Sequence, residues 1–200
     1  RRERRRRETE WGVGGGGRHR GGEAVNTVRA AGLGGAVMVA VMVAVLASGR
    51  SGPDRMAARL VGQPAPPVVG TTIDGDRWDL DDQRGRWVVV NFFSTTCVPC
   101  VREHPELVAF ADAHRAVDDV RVVSVAFDDR ASAVEAFFRK RGGDWPVLAA
   151  TTGRIAVDWG VVAVPESYLV APSGYVAAKV AGGVERADLE SLLARARAEG

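Results

Sequence analysis

Cys97 and Cys100, the only two cysteines in the 200-residue chain, directly follow a continuous apolar run from Trp87 to Phe93 and a short Ser94-Thr95-Thr96 link. That run, with Val88, Val89 and Val90 in its middle, suits a strand buried on both faces. The stretch from Cys97 to about Arg115 then reads as a helix. A thiol pair at such a junction sets the first sulfur at the helix N-cap, where backbone N–H groups lack partners and the macrodipole is positive. Thiolate is favoured there, so the Cys97 pKa is expected below the free value of about 8.5. Cys100, one turn on, is placed to attack a mixed disulfide on Cys97. Pro99 falls in the first turn, where its missing N–H costs no helical bond.

The remaining pattern alternates extended and helical segments, which predicts an α/β domain. Val68 to Ile73, the Asp74-Gly75 turn and Arg77 to Leu80 read as a hairpin. Val120 to Phe127 reads as a second buried strand, Ala131 to Arg141 as a helix and Pro146 to Ala149 as a short extended piece. Ile155 to Trp159 reads as a helical turn. Ser167 to Ala171 and Val176 to Val180, joined through Pro172-Ser173-Gly174, form a second hairpin. Arg186 to Ala198 closes as an amphipathic helix with Leu189, Leu192 and Leu193 inward.

Residues 1–52 carry ten Arg against four Glu, while the rest of the chain carries 17 Lys and Arg against 21 Asp and Glu. The basic balance therefore belongs to the leader and does not imply nucleic acid. Residues 1–29, rich in Arg and Gly, cannot bury enough apolar surface to order themselves and are expected to be disordered. Residues 30–49 are uncharged and Val-rich between Arg29 and Arg50; as a helix they would span about 30 Å, a bilayer's hydrocarbon thickness. The expectation is a transmembrane helix or signal anchor. A buried core helix and a cleavable signal peptide ending near Val45-Leu46-Ala47 are the alternatives. The arginines on the N-terminal flank keep that end in the cytoplasm and put everything after the span outside. Residues 50–60 read as linker and 61–200 as the folded domain.

Two chemically inert readings of the cysteines compete with redox chemistry. A zinc site would need His104 and His114 beside the thiols, but ten residues of helix separate the histidines by about 15 Å, against ligand bonds of about 2 Å. A purely structural disulfide would close a very short loop and stabilise little. His104 and His114 are read as surface or helix-face residues, and no metal is expected.

The segment Asn91-Phe92-Phe93-Ser94-Thr95-Thr96-Cys97-Val98-Pro99-Cys100-Val101-Arg102-Glu103-His104-Pro105 resembles the active-site strand and helix of thioredoxin-like proteins of the membrane-anchored TlpA, ResA and CcmG (DsbE) group. Pro105 matches the helix-kinking proline of thioredoxins, and Glu103 matches an acidic residue of this subgroup. Val164-Pro165-Glu166-Ser167-Tyr168-Leu169-Val170 is similar to the family's cis-proline loop and the strand after it. The resemblance runs from about Val61 to the C-terminus and implies a thioredoxin-like fold, a central mixed sheet flanked by helices. It also implies a redox disulfide between Cys97 and Cys100, with Thr96, Val164 and Pro165 contacting substrate. An X-Pro bond pays only about 0.5–1 kcal/mol for cis, and Val164 could then pair with a substrate strand through its main chain. A trans loop proline is the alternative.

Two departures stand out: Thr96 occupies the position where the family usually has Trp, and Asn91 the position of thioredoxin's buried acid. Proton handling then falls to Glu103, as a base for Cys100, unless Glu103 is an ordinary exposed helix residue. The first functional reading is an extracytoplasmic reductase of protein disulfides, with apocytochrome c cysteines as the substrate the resemblance suggests and a membrane thiol carrier recharging it. The second is an oxidase that donates its disulfide to exported proteins. The third is a tethered binding module or metal chaperone without redox turnover. A peroxiredoxin fits less well, because its reactive cysteine has a different Pro and Thr context. Exchange between sulfurs needs no cofactor.

Overall fold

A computed structural model of the chain describes residues 60–150 and 152–199. The leader, the apolar stretch 30–49 and most of the linker lie outside the described residues. Among those described, no helix is long and apolar enough to cross a membrane.

Strand β1, Val69–Thr71, pairs antiparallel with β2, Arg77–Asp79, as the Asp74-Gly75 turn predicts. A 3-10 turn over Asp81–Gln83 leads into β3, Trp87–Phe93. Helix α1, Val98–Arg115, and β4, Val120–Ala126, follow. Helix α2 covers Ala131–Arg141, β5 Val147–Leu148 and α3 Gly153–Asp158. The chain then forms β6, Glu166–Val170, β7, Val176–Ala181, and α4, Arg186–Glu199. The five main strands lie in the order β5-β4-β3-β6-β7. β3 runs parallel to β4 and β4 to β5, while β6 and β7 are antiparallel additions. This is the mixed thioredoxin-like sheet with flanking helices that the resemblance implies.

β3 has helical layers to serve on both sides, which is why it is apolar nearly throughout. Val89 and Phe93 pack with Leu107 and Phe110 of α1 and Leu189 and Leu193 of α4. Val88, Val90 and Phe92 point the other way, toward Val68, Trp78, Ile155, Trp159 and Tyr168. Two-residue alternation thus sends Asn91 to the α1 side. Sheet register then sets Asn91 opposite Ser124 of β4 and Ser167 of β6, making a polar row across three strands. Leu192 of α4 is partly buried, as its place between Leu189 and Leu193 requires.

Candidate active site

The inward stripe of α1 is Cys100, Glu103, His104, Leu107 and Phe110, a spacing of three and four residues. That stripe decides which titratable groups lie beneath the sulfurs. Cys97 is the helix N-cap, and its Sγ accepts the Cys100 N–H at 3.2 Å. The two cysteines form a disulfide with Cα atoms 5.2 Å apart. Cys97 is half-buried, Val98 beside it is 59% exposed, and Cys100 is 2% exposed. One sulfur therefore faces outward and the other faces the core.

The peptide between Val164 and Pro165 is cis. Pro165 is buried, and Val164 is partly exposed with its carbonyl oxygen 3.5 Å from Cys97 Sγ. The Val164 N–H has no hydrogen-bond partner among the described residues, which leaves a main-chain donor beside the reactive sulfur. Cys97, Val164 and Pro165 are thus brought together from segments more than sixty residues apart in sequence.

Glu103 is 3% exposed, so the reading of it as a surface residue does not hold. One carboxylate oxygen accepts from Asn91 Nδ2 at 2.9 Å and the other from the Val184 N–H at 3.1 Å. Burial lifts its pKa from 4.5 to about 7, outweighing those two hydrogen bonds, which pull downward. Asn91 is itself held: the same nitrogen donates to Ser167 Oγ at 3.1 Å, and Ser124 Oγ donates to its carbonyl oxygen at 3.5 Å. Trp145 Nε1 in turn donates to Ser124 Oγ at 2.9 Å. An acid that titrates near neutrality is therefore fixed one turn past the buried cysteine.

His104 is buried rather than on the surface. Its ring lies among Phe137, Phe138 and Trp145, with Nε2 2.9 Å from the Gly142 carbonyl oxygen. Burial keeps it neutral and lowers its pKa, because α1 turns that position toward α2. His114 sits between Asp119 and Glu190 near the other end of α1. Neither histidine faces the sulfurs.

Thr96 is exposed, its Oγ1 3.1 Å from Ser94 Oγ. The residue that organises this turn, Asp129, belongs to no motif in the sequence. Its Oδ2 accepts the Thr95 N–H at 2.6 Å, the Thr95 hydroxyl at 2.7 Å and the Ser94 hydroxyl at 3.2 Å. The signal that could have found it is positional: parallel β3 and β4 end side by side, and ligands gather at the carboxyl ends of such strands. Immediately after Pro165, Glu166 pairs with Lys179 at 3.0 Å and accepts from the Tyr168 hydroxyl at 3.0 Å, in a nearly buried cluster.

A cavity of 680 Å³ between the β1–β2 turn and α2 includes neither cysteine. Cys97 instead is partly exposed and followed by exposed Val98, which suits a polypeptide better than an enclosed small molecule.

Comparison with known proteins agrees with this geometry. The model of the AhpC/TSA family matches residues 61–179. A thiol:disulfide interchange protein, DsbE homologue, of Paracoccus denitrificans is 33% identical over 143 residues, 70% of this chain and 76% of the relative. The thiol-disulfide oxidoreductase ResA of Bacillus subtilis is 31% identical over 121 residues, 60% of this chain and 67% of the relative. Among solved structures, a thioredoxin-family thiol:disulfide interchange protein from Chlorobium tepidum superposes with a TM-score of 0.61 at 27% identity, covering 66% of this chain and 94% of that one.

Proposed function

The chain belongs to the AhpC/TSA family and is a thioredoxin-like thiol-disulfide oxidoreductase, and from that premise we propose that it reduces protein disulfides outside the cytoplasm through Cys97 and Cys100. The observation that carries the reading is the placement of Cys97 Sγ, capping α1 and touching the Val164 carbonyl of the cis-proline loop.

In the reduced protein, the Cys97 thiolate attacks one sulfur of a substrate disulfide and expels the other as a thiolate, leaving a mixed disulfide. Cys100, its proton taken by ionised Glu103, attacks Cys97 Sγ, closes the Cys97–Cys100 disulfide and releases the second substrate thiolate. Two electrons pass to the substrate, and the dithiol's protons end on substrate thiols or in water. The Val164 N–H offers a substrate strand a main-chain hydrogen bond beside the reacting sulfur, so recognition tolerates varied sequence. Exposed Thr96 lies at the edge of the same surface.

The arginine-rich flank and apolar stretch 30–49 support a single-pass anchor with the domain on the far side of the membrane; a cleaved leader would export it equally. The relatives' names support thiol-disulfide interchange. The resemblance to the CcmG group adds apocytochrome c cysteines as the substrate and a membrane thiol carrier as the electron source. Equilibration with glutathione tests the direction: a midpoint near about −270 mV is the result expected of a reductase, and one near about −120 mV would make the protein an oxidase.

A further inference from the structure

The turn that presents Cys97 is held from outside itself by one carboxylate. A single oxygen of Asp129, Oδ2, takes three donors from Ser94 and Thr95, while Oδ1 takes the Arg130 N–H at 2.8 Å. The Thr96 N–H reaches Ser94 Oγ at 3.4 Å, and the Cys97 N–H donates to the Ser94 carbonyl at 3.2 Å. The Ser94–Thr95 corner, which in turn accepts the Cys97 N–H, therefore hangs on Asp129. The side chain at 96 is small and exposed and supplies no packing of its own.

We propose that Asp129 is a positioning residue of the thiol-disulfide reaction, fixing the Ser94–Thr96 turn that orients Cys97 and restraining, by its negative charge, how readily Cys97 ionises. The proposal rests on Cys97 being the reactive thiol. Burial alone would raise the Asp129 pKa, but the hydrogen bonds from Thr95, Arg130 and Ser94 together outweigh it and hold the carboxyl ionised. The other charged groups around the turn are Asp128 and Arg130, exposed on Asp129's own loop, with exposed Arg102 and buried Glu103 on α1. Beyond that loop, the side-chain partner of Ser94 among the described residues is Thr96 within the turn itself, and Asp129 supplies the side-chain acceptor to Thr95. A fixed anion here opposes a thiolate at the helix end that favours one, and so pulls the potential downward.

Charge and geometry separate by substitution. Asp129→Asn keeps an oxygen acceptor for Thr95 but removes the charge and the acceptor of the Arg130 N–H, Asp129→Ala removes the charge and every acceptor, and Thr95→Val removes one donor while sparing the charge. The measurement is the pH dependence of Cys97 alkylation in the reduced full chain, with insulin reduction alongside and circular dichroism to verify folding. Both Asp129 variants should lower the Cys97 pKa by about half a pH unit, about threefold in the thiolate ratio. Asp129→Ala should lose about tenfold in turnover, and Asp129→Asn, which keeps the oxygen that holds Thr95, should lose less than Asp129→Ala. Thr95→Val should slow turnover without moving the pKa, and decides the geometric half if Asp129→Ala does not fold. An unchanged pKa in Asp129→Asn would overturn the proposal, and so would equal loss of turnover in the Asn and Ala variants. If wild-type Cys97 itself reacts no faster than free cysteine, the redox reading falls first and this inference with it.

Discussion

Asn91 donates to the Glu103 carboxylate at 2.9 Å from the middle of β3, so the acid beneath the thiol pair is held by the strand that leads to the pair. A central strand tolerates a buried amide only when its donors and acceptor are matched. Here Glu103, Ser167 and Ser124 match them.

Glu103 makes stability depend on pH in an unusual direction. Its folded pKa of about 7 lies above the ordinary 4.5, so between those values the folded protein keeps a proton that the unfolded chain has released. Stability falls as pH rises through that window, by about 3 kcal/mol in all. Glu103→Gln should remove that part of the slope when urea unfolding is followed from pH 4.5 to 8. Buried, neutral His104 acts oppositely, losing stability as pH falls below 6.5, so the difference between variant and wild type isolates Glu103. In turnover, release of the mixed disulfide should show a step at about pH 7 that Glu103→Gln lacks.

Removing the Asn91 amide should push that step further alkaline. Its hydrogen bond is one of the two that pull the Glu103 pKa down, and Asn91→Ala also leaves Ser124 and Ser167 without their shared partner. The expected cost is about 1–3 kcal/mol of stability, together with an alkaline displacement of the pH–rate profile. A variant that loses stability but keeps the wild-type profile would detach Asn91 from proton handling.

The Glu166–Lys179 pair anchors the strand that follows Pro165, with side chains only 5% and 9% exposed. Lys179→Met leaves Glu166 buried without its cation and should cost about 3–5 kcal/mol. Adding Glu166→Gln to that variant should recover most of the loss, because Tyr168 can still donate to the amide oxygen. A double-mutant cycle by urea unfolding measures the coupling; additive losses would mean that the pair stabilises nothing.

The sequence makes the frame legible wherever one local rule decides it. Val88 to Val90 mark a strand buried on two faces, the Asp74-Gly75 and Pro172-Ser173-Gly174 turns mark hairpins, and Cys97 with Pro99 marks a helix start. Gly174 takes φ +84°, as such a turn requires. Glu103 falls on the same helical stripe as Cys100 and Leu107, yet a glutamate usually signals solvent, so periodicity and composition point in opposite directions there. The same conflict hides His104. The polar row Ser124-Asn91-Ser167 depends on strand register between segments 33 and 76 residues apart, which no local pattern carries. Asp129 is hidden for the same reason, since its 34-residue reach back to Thr95 exists only once β3 and β4 lie side by side.

Cys97 is the sulfur that meets substrate, and Cys100 the one that resolves the mixed disulfide. Incubating reduced Cys100→Ser protein with a disulfide-bonded protein, quenching with acid and mapping peptides by mass spectrometry tests it directly. The expected product is a stable mixed disulfide at Cys97, with no adduct when Cys97→Ser is treated the same way. An adduct at Cys100 in the Cys97→Ser protein, or none in either, would contradict it.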